Sequence, residues 1–401
     1  MEINKPYLFI ELNEKNFIFL AVKYDENFNF EVLHSVSANS EVIRNGIILD
    51  AEIAIKIIKD NLDIMEKKIN FMFKSATTII SHNNFNCINI SGFKRLNGAQ
   101  VLEENVSYIL NNLKKIVLEN QPERYLVHLF NSNFILDKKL LKNPPIGLHG
   151  DFYNHHLTFF LLPKNDFKNL TNLLNNCNLN LDRIILKPLT NGLDKILNNK
   201  DKNSFATIHF GKEQSNISIF NNLSFVYSEN FDFGTDIIMR DVSKVCSLSF
   251  ENVKKIFHEM DFNEIKQKST EEIYLDKKFF VENNFRKISL NLLNEIINAR
   301  VEELINLILK KNINLKISNE TLETTYYSFD DLNFIDIFKQ KILKNNSDKM
   351  LVKFENKSQD QNLTSCLISA ELIGRGWERE AIPTIQTKKS IIARLFSIFF
   401  K

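Results

Sequence analysis

Two stretches of this chain, about 200 residues apart, begin with the same order of predicted elements. In each stretch, three strand-like apolar runs are followed by a glycine and then by a helix-forming segment. The strand-like runs are Tyr7–Leu12, Phe17–Lys23 and Phe30–Ser37 in the first and Phe205–Phe210, Asn216–Phe220 and Ser224–Ser228 in the second. The glycines and helices are Gly46 with Asp50–Lys59 and Gly234 with Asp236–Ser243. Strands followed by helices in two successive halves predict a duplicated α/β unit around a central cleft.

The segment between the two stretches has a different character. Val101–Glu119 has the apolar spacing of an amphipathic helix, while Arg124–Phe130 and His155–Leu161 resemble strands. The turn residues of Pro144–Gly147 lie between those two strands. We therefore expect an inserted subdomain at residues 82–163.

The last fourteen residues predict a helix that binds lipid. Wound as an α-helix, they place two serines and two cations on one narrow stripe and apolar side chains around most of the remainder. Four cations and no acid accompany this apolar surface, which is the pattern of a helix lying in an anionic bilayer interface. The predicted membrane-binding residues are Lys388, Lys389, Ile391, Ile392, Arg394, Leu395, Phe396, Ile398, Phe399, Phe400 and Lys401. The alternative is a terminal helix that docks on its own domain.

We expect only this tail to touch lipid. It is shorter than the roughly 20 apolar residues that cross a bilayer, and the early Glu2 and Pro6 do not fit a signal peptide. The body is therefore expected in the cytoplasm. Burial of a few large apolar side chains is opposed by the cost of ordering the tail, so binding should be reversible and should gain from clustering of many tails.

Charge and cysteine content exclude some classes of protein. A formal net charge of +2 provides no strong positive field, which argues against a nucleic-acid-binding protein. The cysteines lie far apart without close metal-binding spacing, so we expect four reduced, apolar residues: Cys87, Cys177, Cys246 and Cys366. His155 and His156 are neighbours in a strand-like run and should point to opposite faces, so we expect no metal there.

Several short segments resemble, in the same order, the motifs of one protein family. Lys142–Gly150 is similar to Lys-Asn-Pro-x-Gly-Leu-x-Gly of that family, with one additional proline. Leu179–Asp182 resembles Gly-Leu-x-Val-Asp, and Gly234–Asp241 resembles Gly-x-x-x-Thr-x-Asp-Ile. Ile296–Leu304 resembles Ile-Ile-x-Ala-Arg-x-x-Glu-Leu, and the tail follows a linker that contains Pro383. In this order the segments resemble FtsA, the actin-like bacterial division protein that tethers FtsZ filaments to the inner membrane.

The resemblance implies an α/β fold of the actin/Hsp70-like ATPase type with an inserted subdomain and a C-terminal amphipathic helix. The implied domains are a first actin-like half at 1–81 and 164–200, the FtsA-type insertion at 82–163, a second actin-like half at 201–245 and 306–375, a helical subdomain at 246–305, a linker at 376–387 and the membrane-targeting helix at 388–401.

The resemblance also implies a site for ATP and magnesium, but the phosphate-binding loops depart from the family pattern. The first β-hairpin reads Glu11-Leu12-Asn13-Glu14-Lys15-Asn16 where the family has Asp-Ile-Gly-Thr-Thr-Lys. The second, His209–Asn216, replaces Asp-Ile-Gly-Gly-Gly-Thr-Thr-Asp, and Thr325–Ser328 corresponds to the adenosine-side loop Thr-Gly-Gly-Gly. Such loops use glycine so that backbone N–H groups reach the phosphates. We therefore expect weak or absent ATP binding and no hydrolysis.

Two explanations of these loops stay open. Compositional drift could have replaced glycines by residues that tolerate positive φ, such as Asn13, since the whole chain has ten glycines. Alternatively, the site no longer binds ATP. The candidate residues of any remaining pocket are Glu11, Asn13, Gly211, Gly234, Arg300 and Glu303. For Arg300 and Glu303 the alternative is an i,i+3 ion pair on an exposed helix face.

The segment Phe250–Lys311 resembles the helical subdomain with which the family captures the C-terminal peptide of FtsZ. Its cations and aromatic residues suit an acid-containing peptide, and they also suit ordinary helix faces and core. The resemblance further implies anionic inner-membrane lipids, other copies of the chain in head-to-tail contact and later division proteins as partners, at the cytoplasmic face of the inner membrane. The alternatives are an actin-fold ATP-dependent enzyme, such as a small-molecule kinase, and the related actin-like protein of pilus assembly.

Overall fold

A computed structural model describes residues 5–198, 203–260, 273–280, 285–318, 321–345, 351–355 and 363–381. The predicted membrane-binding residues 388–401 and Pro383 therefore lie outside the described residues. The described chain divides into two compact units. The first comprises residues up to 203, 220–227 and those from 359 onward, and the second comprises 204–219 and 228–358.

The strands and helices follow in chain order. The strands are β1 (Pro6–Leu12), β2 (Asn16–Tyr24), β3 (Phe30–Asn39), β4 (Ile43–Arg44), β5 (Ile47–Ile48), β6 (Ser75–Ile80), β7 (Asn86–Arg95), β8 (Arg124–Leu136), β9 (Lys139–Leu141), β10 (Phe152–Pro163), β11 (Asn180–Leu186), β12 (Phe205–Phe210), β13 (Ser215–Asn221), β14 (Ser224–Phe231), β15 (Thr324–Phe329) and β16 (Leu351–Glu355). The α-helices are α1 (Ala51–Ile69), α2 (Glu103–Asn120), α3 (Lys164–Asn175), α4 (Lys187–Asn198), α5 (Asp236–Cys246), α6 (Phe250–Glu259), α7 (Leu290–Ile305), α8 (Ile313–Ser318), α9 (Ile335–Asn345) and α10 (Thr364–Arg375). Short 3₁₀ turns occupy Lys277–Phe279 and Leu332–Phe334, and a π-helical turn, Asn306–Lys310, extends α7.

Two five-stranded sheets have the same strand order. The first runs β11-β6-β1-β2-β3 and the second runs β16-β15-β12-β13-β14. In each, the first strand of a hairpin also pairs in parallel with a later strand, β1 with β6 and β12 with β15. The predicted duplication of an α/β unit is therefore confirmed at the level of sheet topology.

The first sheet contains nearly continuous apolar strands because helices cover it. Most residues of β1 and β2 are buried, as expected for strands that are covered on both faces. Helix α1 begins where the Asp50 side chain accepts the backbone N–H of Ile53 at 2.9 Å, which satisfies an otherwise orphan donor. It ends at Asn70, whose φ of 56° is left-handed. The helical stretch predicted from Asp50 is thus confirmed, and it is longer than the sequence indicated.

The predicted insertion contains its own antiparallel sheet, in the order β7-β10-β8-β9. Helix α2 buries its apolar face against this sheet, with Val106, Ile109 and Leu113 in the shared core. Asp137 and Lys138 have φ values of 47° and 70° and connect β8 to β9, which is the backbone of a two-residue hairpin turn. His155 is fully buried in β10, while its neighbour His156 is half-buried. No group of side chains suited to a metal ion occurs among the residues the structure describes.

The free energy of unfolding will fall by on the order of 2 kcal/mol between pH 7 and pH 4.5 because of His155. Burial lowers the pKa of His155 to about 3, from the usual value of about 6.5 for histidine. The unfolded chain therefore binds this proton first, so the contribution is complete above pH 6.5 and is lost as the pH falls towards 3. Urea unfolding of the wild type and His155→Gln at both pH values checks this. Identical pH dependence of the two chains would contradict it.

In the second unit, one sequence-based assignment is wrong. Thr325–Ser328 does not form a loop but lies inside strand β15, where Tyr326 and Tyr327 are buried. β-branched and aromatic residues favour a pleated, buried strand, and parallel pairing with both β12 and β16 satisfies their backbone groups. The loop follows at Asp330 and Asp331 instead.

No helix in the described part of the chain is long and apolar enough to cross a membrane.

Candidate functional site

The first candidate phosphate loop carries an ion pair that sequence reasoning missed. Glu11 is the penultimate residue of β1, its side chain is only 2% exposed, and its Oε1 lies 2.6 Å from Nζ of Lys187. The same Nζ donates to Oδ1 of Asn13 at 2.9 Å. Lys187 is the first residue of α4, directly after β11, so two segments 174 residues apart meet at this hairpin. Glu11 and Asn13 are thus brought together through a lysine.

The turn of this hairpin closes without glycine and without left-handed backbone at Asn13. The Asn13 N–H donates to the carbonyl of Asn16 at 3.1 Å, and Asn13 is not among the described residues with positive φ. Oε1 of Glu14 accepts the backbone N–H of Asn45 at 2.6 Å. This carboxylate of the first hairpin is therefore engaged with the β4–β5 turn.

The second hairpin uses its carbonyl groups to hold the start of α5. The N–H of Gly211 donates to the carbonyl of Gln214 at 2.9 Å. The Gly211 carbonyl accepts the N–H of Thr235 at 2.9 Å, and the Lys212 carbonyl accepts that of Asp236 at 2.8 Å. A Cβ at Gly234 would lie 2.3 Å from the Gly211 oxygen, so only glycine allows this approach. Gly211 and Gly234 are thus in direct contact, and the first N–H groups of α5 are satisfied from within the chain.

A carboxylate reaches the second hairpin from the neighbouring strand. His209, which stands where the family has aspartate, has Nε2 3.3 Å from Oδ1 of Asp330 and Nδ1 3.0 Å from Oγ of Ser328. Asp330 follows β15, and β12 and β15 are parallel with Phe210 opposite Phe329. The sequence did contain a signal for Asp330, because the carboxyl ends of parallel strands meet at one edge of a sheet. Finding it required the correct assignment of β15.

Arg300 and Glu303 form the i,i+3 ion pair that the sequence left as an alternative, with Nη1 2.6 Å from Oε2. The Nε of Arg300 also pairs with the carboxylate of Asp241 on α5. The Asp241 carboxylate, by hydrogen bonding and charge, raises the pKa of the Arg300 guanidinium. This cluster joins α7 to α5, and Asp241 is a member that sequence reasoning missed.

The residues present do not fit the ATP and magnesium site that the resemblance implies. The first loop holds a lysine–carboxylate pair over a turn without glycine, and the second directs carbonyl oxygens at α5. An open loop would instead present N–H groups to phosphate oxygens.

Isothermal titration of the chain with Mg-ATP is therefore expected to show no micromolar binding. The Lys187–Glu11 pair and the Asn13 turn leave no glycine nest for the β- and γ-phosphates in the first hairpin. Injection into buffer alone serves as the control. A heat of binding that saturates at micromolar ATP would contradict this expectation.

Comparison with known proteins gives consistent matches to one family, although no family model matches the chain. It is 18% identical over 310 residues to the cell division protein FtsA of Neisseria meningitidis serogroup B, covering 77% of this chain and 74% of that protein. It is 19% identical over 228 residues to FtsA of Buchnera aphidicola, covering 57% of this chain and 54% of that protein. The match thus spans between about half and three quarters of these relatives.

Among solved structures, the PilM–PilN complex of type IV pilus biogenesis matches 94% of this chain and 98% of the matched chain, with a TM-score of 0.54 at 9% identity. At this identity the likeness concerns the fold alone. It confirms the α/β, actin-like ATPase fold that the sequence predicts. The chain is therefore an actin-like fold protein that is similar to FtsA over much of its length.

Proposed function

We propose that this chain acts in bacterial cell division as an adaptor that tethers FtsZ filaments to the cytoplasmic face of the inner membrane. The observation that carries the proposal is the similarity to FtsA over 310 residues, which is 77% of this chain. The likeness to the pilus protein extends to the fold only and gives no separate support for a role in pilus assembly.

The proposed role is that of a binding scaffold and not of an enzyme. Its support comes from the contacts in the two hairpins. Lys187 neutralises Glu11 in the first, and the helix α5 takes up the carbonyl groups of the second. Neither arrangement offers the preorganised donors with which phosphoryl-transfer proteins stabilise developing charge.

We further propose that the FtsZ peptide binds beside the segments 273–280 and 285–289 of the second unit. Here ammonium groups lie over aromatic rings, with Lys277 5.3 Å from the Phe285 centroid and Lys287 5.7 Å from that of Tyr274. Phe285 and Tyr274 are 46% and 40% exposed. Half-exposed rings with adjacent cations provide both the apolar anchors and the charge that an acid-containing peptide requires.

The tail 388–401 is proposed to supply the membrane contact through anionic lipids. One such helix binds weakly, so self-association of the chain would raise the overall affinity by holding many tails at one surface. Later division proteins are proposed as further partners on the same grounds of similarity to FtsA.

Co-sedimentation with vesicles of anionic lipid tests the adaptor role. The full chain is expected to pellet and to carry the cognate FtsZ with it, whereas a chain that ends at Thr387 should leave both in the supernatant. Within the tail, Phe396→Ser should weaken pelleting at least tenfold because it removes an apolar anchor, and Ser397→Ala should not. Equal pelleting of the full and shortened chains would overturn membrane anchoring.

A binding assay with the C-terminal peptide of FtsZ tests the proposed peptide site. Phe285→Ala should weaken binding by tenfold or more, since an aromatic anchor at an interface commonly contributes that much. The matched control is Phe93→Ala, because Phe93 is a 73% exposed phenylalanine of the first unit. Equal effects of the two substitutions would place the peptide elsewhere.

An assay of ATP hydrolysis by the full chain tests the alternative function. Measurable turnover would support an ATP-dependent enzyme instead of an adaptor.

A further inference from the structure

The described chain ends in a short segment that is bound tightly to the first unit. After α10, Gly376 turns the chain with a φ of 77°, and the residues Trp377–Ala381, here called the clasp, run antiparallel to β8. The N–H of Ala381 donates to the carbonyl of Leu129 at 2.7 Å, and the N–H of Asn131 donates to that of Arg379 at 2.7 Å.

Side-chain contacts also hold the clasp in place. Glu380 is 2% exposed and pairs with Arg183, and Oε1 of Glu380 lies 3.7 Å from Nδ1 of His128. The indole N–H of Trp377 donates to the carbonyl of Leu223 at 2.9 Å. Withdrawal of Glu380 would leave the buried Arg183 without its carboxylate, so the closed clasp is strongly favoured.

The clasp lies next to a cationic hairpin. Nη1 of Arg379 donates to the carbonyl of Lys142 at 2.7 Å, and Lys142 directly follows β9. Lys138, Lys139 and Lys142 are exposed, as is the 57% exposed Leu140 between them. The carboxylate of Asp137 at the turn accepts the N–H groups of Asp151 and Phe152. We call Lys138–Lys142 the basic hairpin.

We propose that the basic hairpin is a second contact with the anionic lipid surface, held there by the clasp. The proposal rests on the proposed anchoring by the tail. Only residues 382–387 separate the clasp from the tail, and they can span about 25 Å at most. An open clasp would lengthen this tether from Gly376 to about 42 Å. The closed clasp therefore keeps the basic hairpin near any bilayer that the tail occupies, where lysines gain from anionic headgroups.

Binding to vesicles with and without anionic lipid tests this contact. The variant Lys138→Gln/Lys139→Gln/Lys142→Gln should bind anionic vesicles on the order of tenfold more weakly than the wild type, and neutral vesicles equally. The control Lys56→Gln/Lys59→Gln/Lys67→Gln removes the same charge from exposed positions on α1. Equal losses in the two variants would overturn the proposal.

Substitution of a clasp residue tests whether lipid binding by the basic hairpin depends on the clasp. Ala381→Pro removes the N–H that donates to Leu129, and thermal unfolding establishes that the variant is folded. In this background the three lysine substitutions should change binding less than twofold. A tenfold effect there would show that the clasp plays no part. If Ala381→Pro does not fold, Ala381→Gly, which shortens the buried side chain and loosens the strand, replaces it with the same expectation in direction.

A third arrangement separates this proposal from the anchoring itself. Residues 388–401 are replaced by six histidines, and the vesicles carry a nickel-chelating lipid in a neutral or an anionic background. The basic hairpin should still strengthen binding to the anionic vesicles, with the same loss on substitution of its lysines. Failure of the native tail to bind vesicles would refute the anchoring, whereas equal binding of both lysine variants in this arrangement would refute the hairpin contact alone.

Discussion

A chain carrying Arg183→Met will lose about 3–5 kcal/mol of its free energy of unfolding, because the substitution leaves a buried carboxylate without its partner. Glu380 pairs with Arg183, and the two side chains are 0% and 1% exposed. Burial alone would raise the pKa of Glu380, but the charge of Arg183 holds that pKa below its usual value. Urea unfolding at pH 7 measures the loss.

The double variant Arg183→Met/Glu380→Gln provides the control, since it removes both charges. It should recover much of the lost stability, because an apolar or neutral pair needs no charge partner in the interior. In the wild type, a carboxyl with a depressed folded pKa contributes fully above its unfolded value and loses that contribution as the pH falls. The stability difference between wild type and single variant should therefore shrink in acid. A double variant as unstable as the single one would show that packing and not charge is decisive.

Phe225→Ala will cost about 3–5 kcal/mol, the usual range for removal of a fully buried ring. Phe225 lies at the tip of the β13–β14 hairpin and is 0% exposed. Its ring stacks on Phe160 at 4.2 Å and on Phe220 at 4.8 Å between centroids, and Phe130 approaches edge-on at 6.0 Å. The cavity cannot close easily because each neighbouring ring is itself held in β-sheet.

Thermal and urea unfolding of Phe225→Ala measure this cost. Phe93→Ala is the matched control, since its 73% exposed ring should change stability by less than about 0.5 kcal/mol. A loss at Phe225 no larger than that at Phe93 would mean that the hairpin tip is not part of the core.

The strands were predictable where local pattern alone determines them. Apolar runs such as those of β1 and β12 have no helical period, so their assignment needed no knowledge of partners. Thr325–Ser328 shows where sequence-based assignment fails. The family motif indicated a loop there, whereas the β propensity of the two tyrosines favours the strand that is observed. Where a segment corresponds to a family motif but lacks its glycines, the motif no longer predicts the backbone conformation of that segment.

The ion pairs between residues far apart in the chain could not be predicted from the sequence pattern. Lys187 meets Glu11 and Glu380 meets Arg183 across more than 170 residues, and no local signal encodes such distances. Glu380 in particular lies in a stretch predicted as linker, where a charged residue is ordinarily solvated. Buried charges are stable only with a partner, and the partner is a property of the tertiary fold.

Backbone angles show which turns of this chain have a left-handed residue other than glycine. They also show where such a residue could occur but the backbone is not left-handed. Among the residues described, ten residues other than glycine have positive φ, and five of these are asparagines: Asn45, Asn70, Asn97, Asn178 and Asn222. Asparagine therefore provides the left-handed backbone at five turns of this chain, because its short polar side chain tolerates positive φ. Asn13 has the same side chain but not the same backbone. The dihedral angles thus separate the turns that require a left-handed residue from the hairpin at Asn13, which does not, and residue identity alone cannot make this distinction.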